Sequence, residues 1–149
     1  MRRCSVSTES PTPSSGERSK ALPQRTSENA RLWDSCLQRA MELQRCSSCR
    51  AFRYYPAPIC PECASLDFDW ERITGRGTVY SFTWVYRAAP GFERDVPYAY
   101  ALVQLEEGPV MATNIVNVGE DELAIGMPVT IHYRDVTPEF TLPLFEPLR

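Results

Sequence analysis

Two Cys-x-x-Cys motifs separated by ten residues constrain this 149-residue chain more than any other feature. They read Cys46-Ser-Ser-Cys49 and Cys60-Pro-Glu-Cys63. Each motif can fold as a knuckle that presents two thiolates, and two knuckles complete a tetrahedral zinc site. Because four sulfurs leave no position for water, we expect the metal to be structural. The module around it is too small to fold by burial alone, so metal binding should supply its folding free energy.

The sequence around the motifs bears on the choice of metal. Iron competes with zinc, because four thiolates also hold iron in rubredoxin-like sites. Zinc is favoured because nothing else in the sequence indicates electron transfer. Knuckles often place glycine after the second cysteine, where positive φ is easiest, but Arg50 and Ala64 occupy these positions. Of the other two cysteines, Cys4 lies in an N-terminal tail and Cys36 is predicted to be a small buried hydrophobe.

The region before the motifs divides into a tail and a helix. Residues 1–27 contain seven Ser, three Thr and three Pro, which predicts a disordered tail with little to bury. Residues 28–45 lack Pro and Gly and place apolar side chains at helical spacing, which predicts an amphipathic helix. One such helix cannot bury its own apolar face, so it must dock on the rest of the chain or on a partner. The candidate partner contacts on the helix are Trp33, Leu37 and Met41.

The region from the motifs to the C-terminus is predicted to hold a ribbon and a barrel. Residues 46–69 are assigned to the zinc ribbon, a loop-rich module with no core of its own. After residue 69 the hydrophobic period becomes two, as in β-strands. Five short strands with a helical turn after the third predict a small OB-fold barrel over residues 70–149. The predicted strands cover residues 78–86, 97–105, 110–116, 129–134 and 140–145, and the turn covers 119–126.

Aromatic side chains alternate along the first of these strands and are predicted to share one face. They are Tyr80, Phe82, Trp84 and Tyr86. OB barrels can stack nucleic-acid bases on such a stripe inside a basic groove. Residues 71–149, however, hold six arginines against eleven acidic residues, a net charge of −5, and the whole chain has a net charge of −3. This charge would repel phosphates. We therefore expect no nucleic-acid partner and assign the stripe to core packing or a protein interface.

No group of residues indicates an active site. No motif places a Ser or Cys beside His132, the only histidine, so it is expected to be an outward-facing strand residue. Arg50 and Arg53 near the first knuckle could grip phosphates, for instance those of coenzyme A, or could simply be solvated. No stretch approaches the roughly 20 apolar residues of a membrane helix, and no apolar signal-peptide core follows the N-terminus. We expect a cytoplasmic protein that meets no membrane and is not an enzyme by itself.

Seven stretches match a known family in its own order along the chain. They are Ala30-Arg-Leu-Trp33, Leu43-Gln-Arg-Cys46, Arg53-Tyr-Tyr-Pro56, Cys60-Pro-Glu-Cys63, Gly75-Arg-Gly-Thr-Val-Tyr-Ser81, Pro97-Tyr98 with Leu102-Val-Gln-Leu-Glu-Glu-Gly108, and Ile125-Gly-Met-Pro-Val129. Residues 29–148 thus resemble the acyl-CoA-associated family, formerly a domain of unknown function. The resemblance implies a mainly β fold with an N-terminal helix, a rubredoxin-like zinc ribbon and an OB-fold barrel.

The resemblance also implies a function. Members of the family are similar in pairing with thiolase-superfamily proteins, such as thiolases, acyltransferases and retro-aldolases, that act on acyl-CoA substrates. The implied subunit is non-catalytic, docks by its helix and barrel, and places its ribbon near the coenzyme A entrance. A heterotetramer of two catalytic and two accessory chains, or a larger assembly, is a natural expectation. The alternatives are a single-stranded nucleic-acid-binding module and a small iron electron carrier.

Overall fold

The computed structural model describes residues 20–149, which form one helix and eight strands. In chain order the elements are α1 (Ala30–Leu37), β1 (Glu42–Cys46), β2 (Phe52–Arg53), β3 (Phe68–Arg72), β4 (Arg76–Val85), β5 (Tyr98–Leu105), β6 (Val110–Ile115), β7 (Pro128–Thr137) and β8 (Phe140–Pro147). The first three strands form an antiparallel sheet in the order β2-β1-β3, and the other five form a closed barrel in the order β4-β5-β6-β8-β7. The predicted fold class, a helix followed by a ribbon and a five-stranded barrel, is confirmed.

The helix is shorter than the sequence predicts, because it ends at Leu37 and the end of the segment 28–45 forms β1 instead. The helix ends in a Schellman motif. The N–H of Arg39 donates to the carbonyl of Cys36, and the N–H of Ala40 donates to the carbonyl of Ser35, both at 2.9 Å. Arg39 takes the left-handed conformation with φ of 55°. Glycine is the usual signal for this conformation, and without it the sequence does not mark the end of the helix.

The ribbon sheet also extends beyond the predicted boundaries 46–69. Its central strand β1 begins at Glu42, and its last strand β3 continues to Arg72. The central strand pairs with both neighbours, so that Gln44 lies opposite Arg53 on one side and Trp70 on the other. The backbone groups of β1 are therefore satisfied by the sheet rather than by a helix.

A β-bulge in β4 divides the predicted aromatic stripe between two faces. The register of β4 on β5 shifts between Val79 and Ser81, so that Tyr80 is the extra residue. One extra residue reverses which side chains face inward. Tyr80 is consequently 61% exposed, whereas Phe82 and Trp84 are partly buried against the core. The prediction that these aromatic residues share one face is wrong, because the period of two does not continue through the bulge.

The hydrophobic core is continuous from the helix through the ribbon into the barrel. Leu32 of α1, Leu43 of β1 and Phe145 of β8 are fully buried in the same cluster. The ring of Trp33 lies 4.7 Å from the ring of Phe140, centre to centre. The helix thus packs against β8 of the barrel and against β1 of the ribbon, and the three parts share one core.

The predicted disordered tail, residues 1–27, is only partly described. Residues 1–19 lie outside the described residues, and residues 20–27 lie against the folded chain. The Lys20 ammonium is 2.6 Å from the carboxylate of Asp95 in the β4–β5 connection. Arg25 pairs with Asp34 on the helix. Within residues 20–149, no helix combines the length and the hydropathy needed to cross a membrane.

Candidate metal centre

Two knuckles of the same backbone geometry bring the four predicted metal ligands together. In the first knuckle the N–H of Arg50 donates to the carbonyl of Cys46 at 3.0 Å, and the N–H of Cys46 donates to the carbonyl of Ala51 at 2.9 Å. The second knuckle repeats both bonds around Cys60, each at 2.9 Å. The local hydrogen bonds of each motif therefore fix where its two thiols lie, as the spacing predicts.

The positions after the second cysteines carry the strain that the sequence suggests. Arg50 has φ of 65° and Ala64 has φ of 58°, both in the left-handed region. For a residue with a Cβ, this conformation costs about 1 kcal/mol or more. The knuckles form despite the missing glycines, and the free energy of metal binding can offset a cost of this size.

The four sulfurs have the separation that a tetrahedral zinc site needs. All four Sγ atoms lie within 4.8 Å of one another. The Cys46–Cys63 and Cys49–Cys60 distances are both 3.6 Å. Zinc–sulfur bonds of about 2.3 Å in a tetrahedron place the sulfurs about 3.8 Å apart. The donor set therefore fits structural zinc, held by all four thiolates.

Backbone N–H groups favour the ionised form of Cys46 and Cys60, whereas burial and the neighbouring thiols raise the pKa of Cys49 to about 12. The pKa of Cys46 is lowered to about 6, and the main cause is the N–H of Cys49, which lies 3.5 Å from the Cys46 sulfur. Burial opposes ionisation of Cys60, but the N–H groups of Cys63 and Glu62 lower its pKa below the ordinary value. Thiolates are the form that binds metal. These N–H groups are thus oriented to support a metal–thiolate centre.

The two arginines predicted to contact coenzyme A lie in different environments. Arg50 is exposed and lies 3.4 Å from the carboxylate of Glu71, which Arg45 also binds at 2.7 Å. Arg53 is only 5% exposed, and its guanidinium carbon lies 4.6 Å from the centre of the Phe68 ring. Solvent therefore reaches Arg50 but not Arg53. The burial of Arg53 contradicts its use as a surface contact for phosphates.

Of the three predicted partner contacts, only Leu37 lies on the surface, with 40% of it exposed. Trp33 and Met41 are 6% and 1% exposed and belong to the core of the chain itself. The N–H of Met41 also donates to the hydroxyl of Tyr133 in β7 at 2.9 Å. The apolar stripe of the helix is therefore covered by this chain's own barrel, and Trp33 and Met41 are corrected from partner contacts to core residues.

A buried asparagine, which the sequence analysis missed, connects three segments near the start of the helix. The Nδ2 group of Asn29 donates to the carbonyl of Gln24 at 3.0 Å and to the hydroxyl of Tyr55 at 2.7 Å. Its Oδ1 accepts from the N–H of Thr26 at 2.8 Å. Asparagine before a helix is a capping signal and could have singled out this residue. Its side chain makes no capping bond here, but joins the segment before the helix to the ribbon loop.

The single histidine lies on β7, partly exposed, as the sequence predicts. Its Nδ1 is 3.3 Å from a carboxylate oxygen of Glu146 on the neighbouring strand. A hydrogen bond from Asn117 is the main cause that holds the pKa of Glu146 below its ordinary value, and His132 adds to the effect. The contacts of His132 are those of a cross-strand surface pair.

The helix, the four-cysteine ribbon and the closed five-stranded barrel define a zinc-ribbon/OB-fold protein. Two family models match consecutive parts of the chain: the rubredoxin-like zinc ribbon domain of ChsH2 over residues 33–69 and the C-terminal OB-fold domain of ChsH2 over residues 70–134. The chain belongs to the ChsH2/DUF35 family.

Known proteins of the same family are similar over most of this chain. A chain of the solved Ltp2-ChsH2(DUF35) aldolase is 39% identical with a TM-score of 0.76, and the match covers 85% of this chain and 98% of that one. A probable enoyl-CoA hydratase alpha subunit of Thermomonospora curvata is 40% identical over 80% of this chain, but the match spans only 37% of that protein. A DUF35 domain-containing scaffold protein of Methanocaldococcus jannaschii is 32% identical, and the match covers 62% of this chain and 66% of the scaffold protein.

Proposed function

We propose that this chain is a non-catalytic, zinc-binding accessory subunit of a thiolase-superfamily complex that acts on acyl-CoA substrates in the cytoplasm. One observation carries the proposal: the chain matches nearly the full length of a ChsH2(DUF35) chain in a structure named as an aldolase together with Ltp2. The names of the hydratase alpha subunit and of the scaffold protein support a subunit role. In this proposal the partner supplies the catalytic residues, and the partner is a thiolase, an acyltransferase or a retro-aldolase.

The metal centre has an assembly role in this proposal. Zinc holds the ribbon, and β1 of the ribbon packs against the helix, which in turn packs against β8 of the barrel. Loss of zinc would remove the bonds that hold the two knuckles together, and the ribbon sheet β2-β1-β3 would be destabilised. We expect a protein without zinc to lose the surface that the partner recognises.

The proposed docking surface includes the exposed end of the helix and the neighbouring barrel strand. Leu37 and Val136 are 40% and 38% exposed, and both line a surface depression of about 410 Å³ together with Arg39 and Asp135. Leu37→Asp replaces an apolar side chain of this depression by a charged one and should weaken assembly about tenfold or more. Ile125→Asp, at a position that is 71% exposed in the β6–β7 connection, is the matched control.

Arg50 is the proposed contact for coenzyme A, with Arg45 beside it. Both guanidinium groups pair with the Glu71 carboxylate. Either arginine can therefore turn to an incoming phosphate while the other keeps Glu71 paired. In the assembled complex, Arg50→Gln should raise the KM for acyl-CoA about tenfold and leave kcat unchanged. Arg31→Gln removes an exposed arginine elsewhere and serves as the control. An unchanged KM in Arg50→Gln would remove this residue from the proposed coenzyme A site.

The experiment that tests the proposal is a tagged pull-down from an extract of the source organism, with the bound chains identified by mass spectrometry. We expect one thiolase-superfamily protein in near-stoichiometric amount, and native mass spectrometry should then give two copies of each chain. Recovery of nucleic-acid-processing proteins, or of no thiolase-superfamily protein at all, would contradict the proposal.

A further inference from the structure

A second candidate site lies at one end of the barrel, away from the metal centre. It is a cavity of about 600 Å³. Its most buried lining residues are Ala99, Ile115 and Leu144, which are 1%, 4% and 8% exposed. Trp84 and Tyr98 line it as well. The interior of a five-stranded barrel is normally filled by side chains, whereas cavities of this size that combine apolar walls with a few polar groups are typical of small-molecule sites.

Two features of the barrel account for the space. The inward-facing residue of β5 at this level is alanine, because Ala99 is buried in the core cluster and also lines the cavity. The parallel seam between β6 and β8 is short, with Ile115 and Phe145 as its paired residues. A small side chain beside a short seam leaves room that larger residues would otherwise fill.

The cavity carries hydrogen-bond donors that lack acceptors. The indole N–H of Trp84 is buried and has no hydrogen-bond partner within residues 20–149. Arg134 also lines the cavity and makes no ion pair with a described residue. The acidic lining residues, in contrast, are already paired: Asp95 binds Lys20, and Asp135 binds an arginine outside the cavity. The unpaired polar groups of this cavity therefore favour a ligand that offers an acceptor oxygen, neutral or negative.

The segment at Lys20 and the β4–β5 connection close one side of the cavity, and few contacts join these two segments. Lys20 lies 2.6 Å from Asp95 and 5.4 Å from the ring centre of Phe92. Phe92 in turn lies 6.2 Å from Tyr98, ring centre to ring centre. The Lys20–Asp95 pair is partly exposed, and exposed ion pairs contribute little stability. A ligand could enter by separating these segments without disturbing the core.

We propose that the barrel-end cavity binds an apolar acyl group whose carbonyl or carboxylate oxygen accepts a hydrogen bond from Trp84 Nε1. The acyl chain lies against Ala99, Ile115 and Leu144, and Arg134 favours an anionic head group. This site is separate from the proposed coenzyme A contact at Arg50. It would exist in the isolated subunit whatever the identity of the catalytic partner.

The test is an NMR titration of the zinc-loaded full chain with dodecanoate below its micellar concentration. The chain has three tryptophans, each of which gives one indole N–H signal in a nitrogen–proton spectrum, and Trp84→Phe identifies the signal of Trp84. We expect this signal to move in a saturable way with dodecanoate but not with dodecylamine, which has the same chain and offers no acceptor. A second titration uses dodecanoyl-CoA, with free coenzyme A as its control. It distinguishes whether the cavity prefers an acyl thioester or a free acid.

Two substitutions decide whether the cavity is the site. Ala99→Leu fills it and should weaken dodecanoate binding more than tenfold, whereas Ala112→Leu, at an exposed position of β6, should leave the affinity unchanged. Trp84→Phe lacks the reporting signal, so its affinity is measured by isothermal titration calorimetry beside the original chain. It should bind dodecanoate about tenfold or more weakly, the value of one hydrogen bond to a charged group. This variant decides the matter if Ala99→Leu does not fold. No saturable movement of the Trp84 signal, equal binding of dodecylamine, or wild-type affinity in a folded Ala99→Leu variant would each overturn the proposal.

Discussion

Replacing Asn29 by alanine tests whether the start of the helix and the ribbon loop are held by one side chain. Asn29 is 4% exposed and makes three hydrogen bonds, to Gln24, Thr26 and Tyr55. A typical hydrogen bond contributes about 0.5–1.5 kcal/mol, and a partner left unpaired adds to the loss. Asn29→Ala should therefore lower the free energy of unfolding by about 2–4 kcal/mol. In a chain of this size, that corresponds to a decrease in Tm of roughly 10 °C.

Urea denaturation at saturating zinc measures this loss, followed by circular dichroism and by tryptophan fluorescence. Coincident transitions with an unchanged m value show that the change is one of stability. Tyr55→Phe removes one of the three bonds and should cost about 1 kcal/mol. In the Tyr55→Phe background, Asn29→Ala should cost about 1 kcal/mol less than it does in the original chain. A cost below about 0.5 kcal/mol for Asn29→Ala, or full additivity with Tyr55→Phe, would show that the Asn29 side chain does not hold the two segments together.

Three further predictions concern the metal centre, a titrating pair and a buried thiol. Cys49→Ser should reduce the zinc content, measured by elemental analysis, from one ion per chain to none, and should abolish co-purification with the partner. The folded-state pKa of Glu146 is lowered, mainly by the hydrogen bond from Asn117. The ionised carboxylate therefore stabilises the fold above its ordinary pKa of 4.5, and this contribution is lost as the pH falls through the folded-state pKa. Glu146→Gln should therefore make stability less sensitive to acid below pH 4.5. Burial raises the pKa of Cys36 to about 12, so in a Cys4→Ser background iodoacetamide at a pH of about 8 should modify it only after unfolding, as seen by mass spectrometry.

Each of these predictions has a result that contradicts it. Full zinc content in Cys49→Ser, or full partner activity without zinc, would remove the structural role of the metal. An acid unfolding curve of Glu146→Gln that matches the original chain would show that the Asn117 contact does not favour the ionised carboxylate. Modification of Cys36 in the folded protein at the rate of a free thiol would contradict its burial in the core.

The metal ligands could be predicted from the sequence because their arrangement is local. Each Cys-x-x-Cys motif closes its knuckle through hydrogen bonds within about five residues, so the spacing alone fixes two thiols per motif. Four of the five barrel strands begin and end within about two residues of their predicted bounds, and β7 alone extends further, to Thr137. Alternation between buried and exposed residues is a local pattern in the same sense.

The end of the helix and the bulge in β4 could not be predicted, because neither has the residue that normally marks it. Arg39 ends the helix in a conformation that usually selects glycine, and Tyr80 forms the bulge without any local signal. In both places, pairing with a distant strand supplies the free energy that opposes the local preference. β1 pairs with β2 and β3, and β4 keeps its register with β5 on both sides of the bulge.

The four thiol ligands, the order of helix, ribbon and barrel, and the family of the chain could all be predicted from local residue patterns. The packing of the folded chain decides which of the candidate side chains reach the surface. It buries Trp33 and Met41 against the barrel, places Arg53 beneath Phe68, and leaves Leu37 and Arg50 on the surface. The reason is physical: ligand spacing and strand period depend on neighbours along the chain, whereas burial depends on segments that meet only after the barrel has closed.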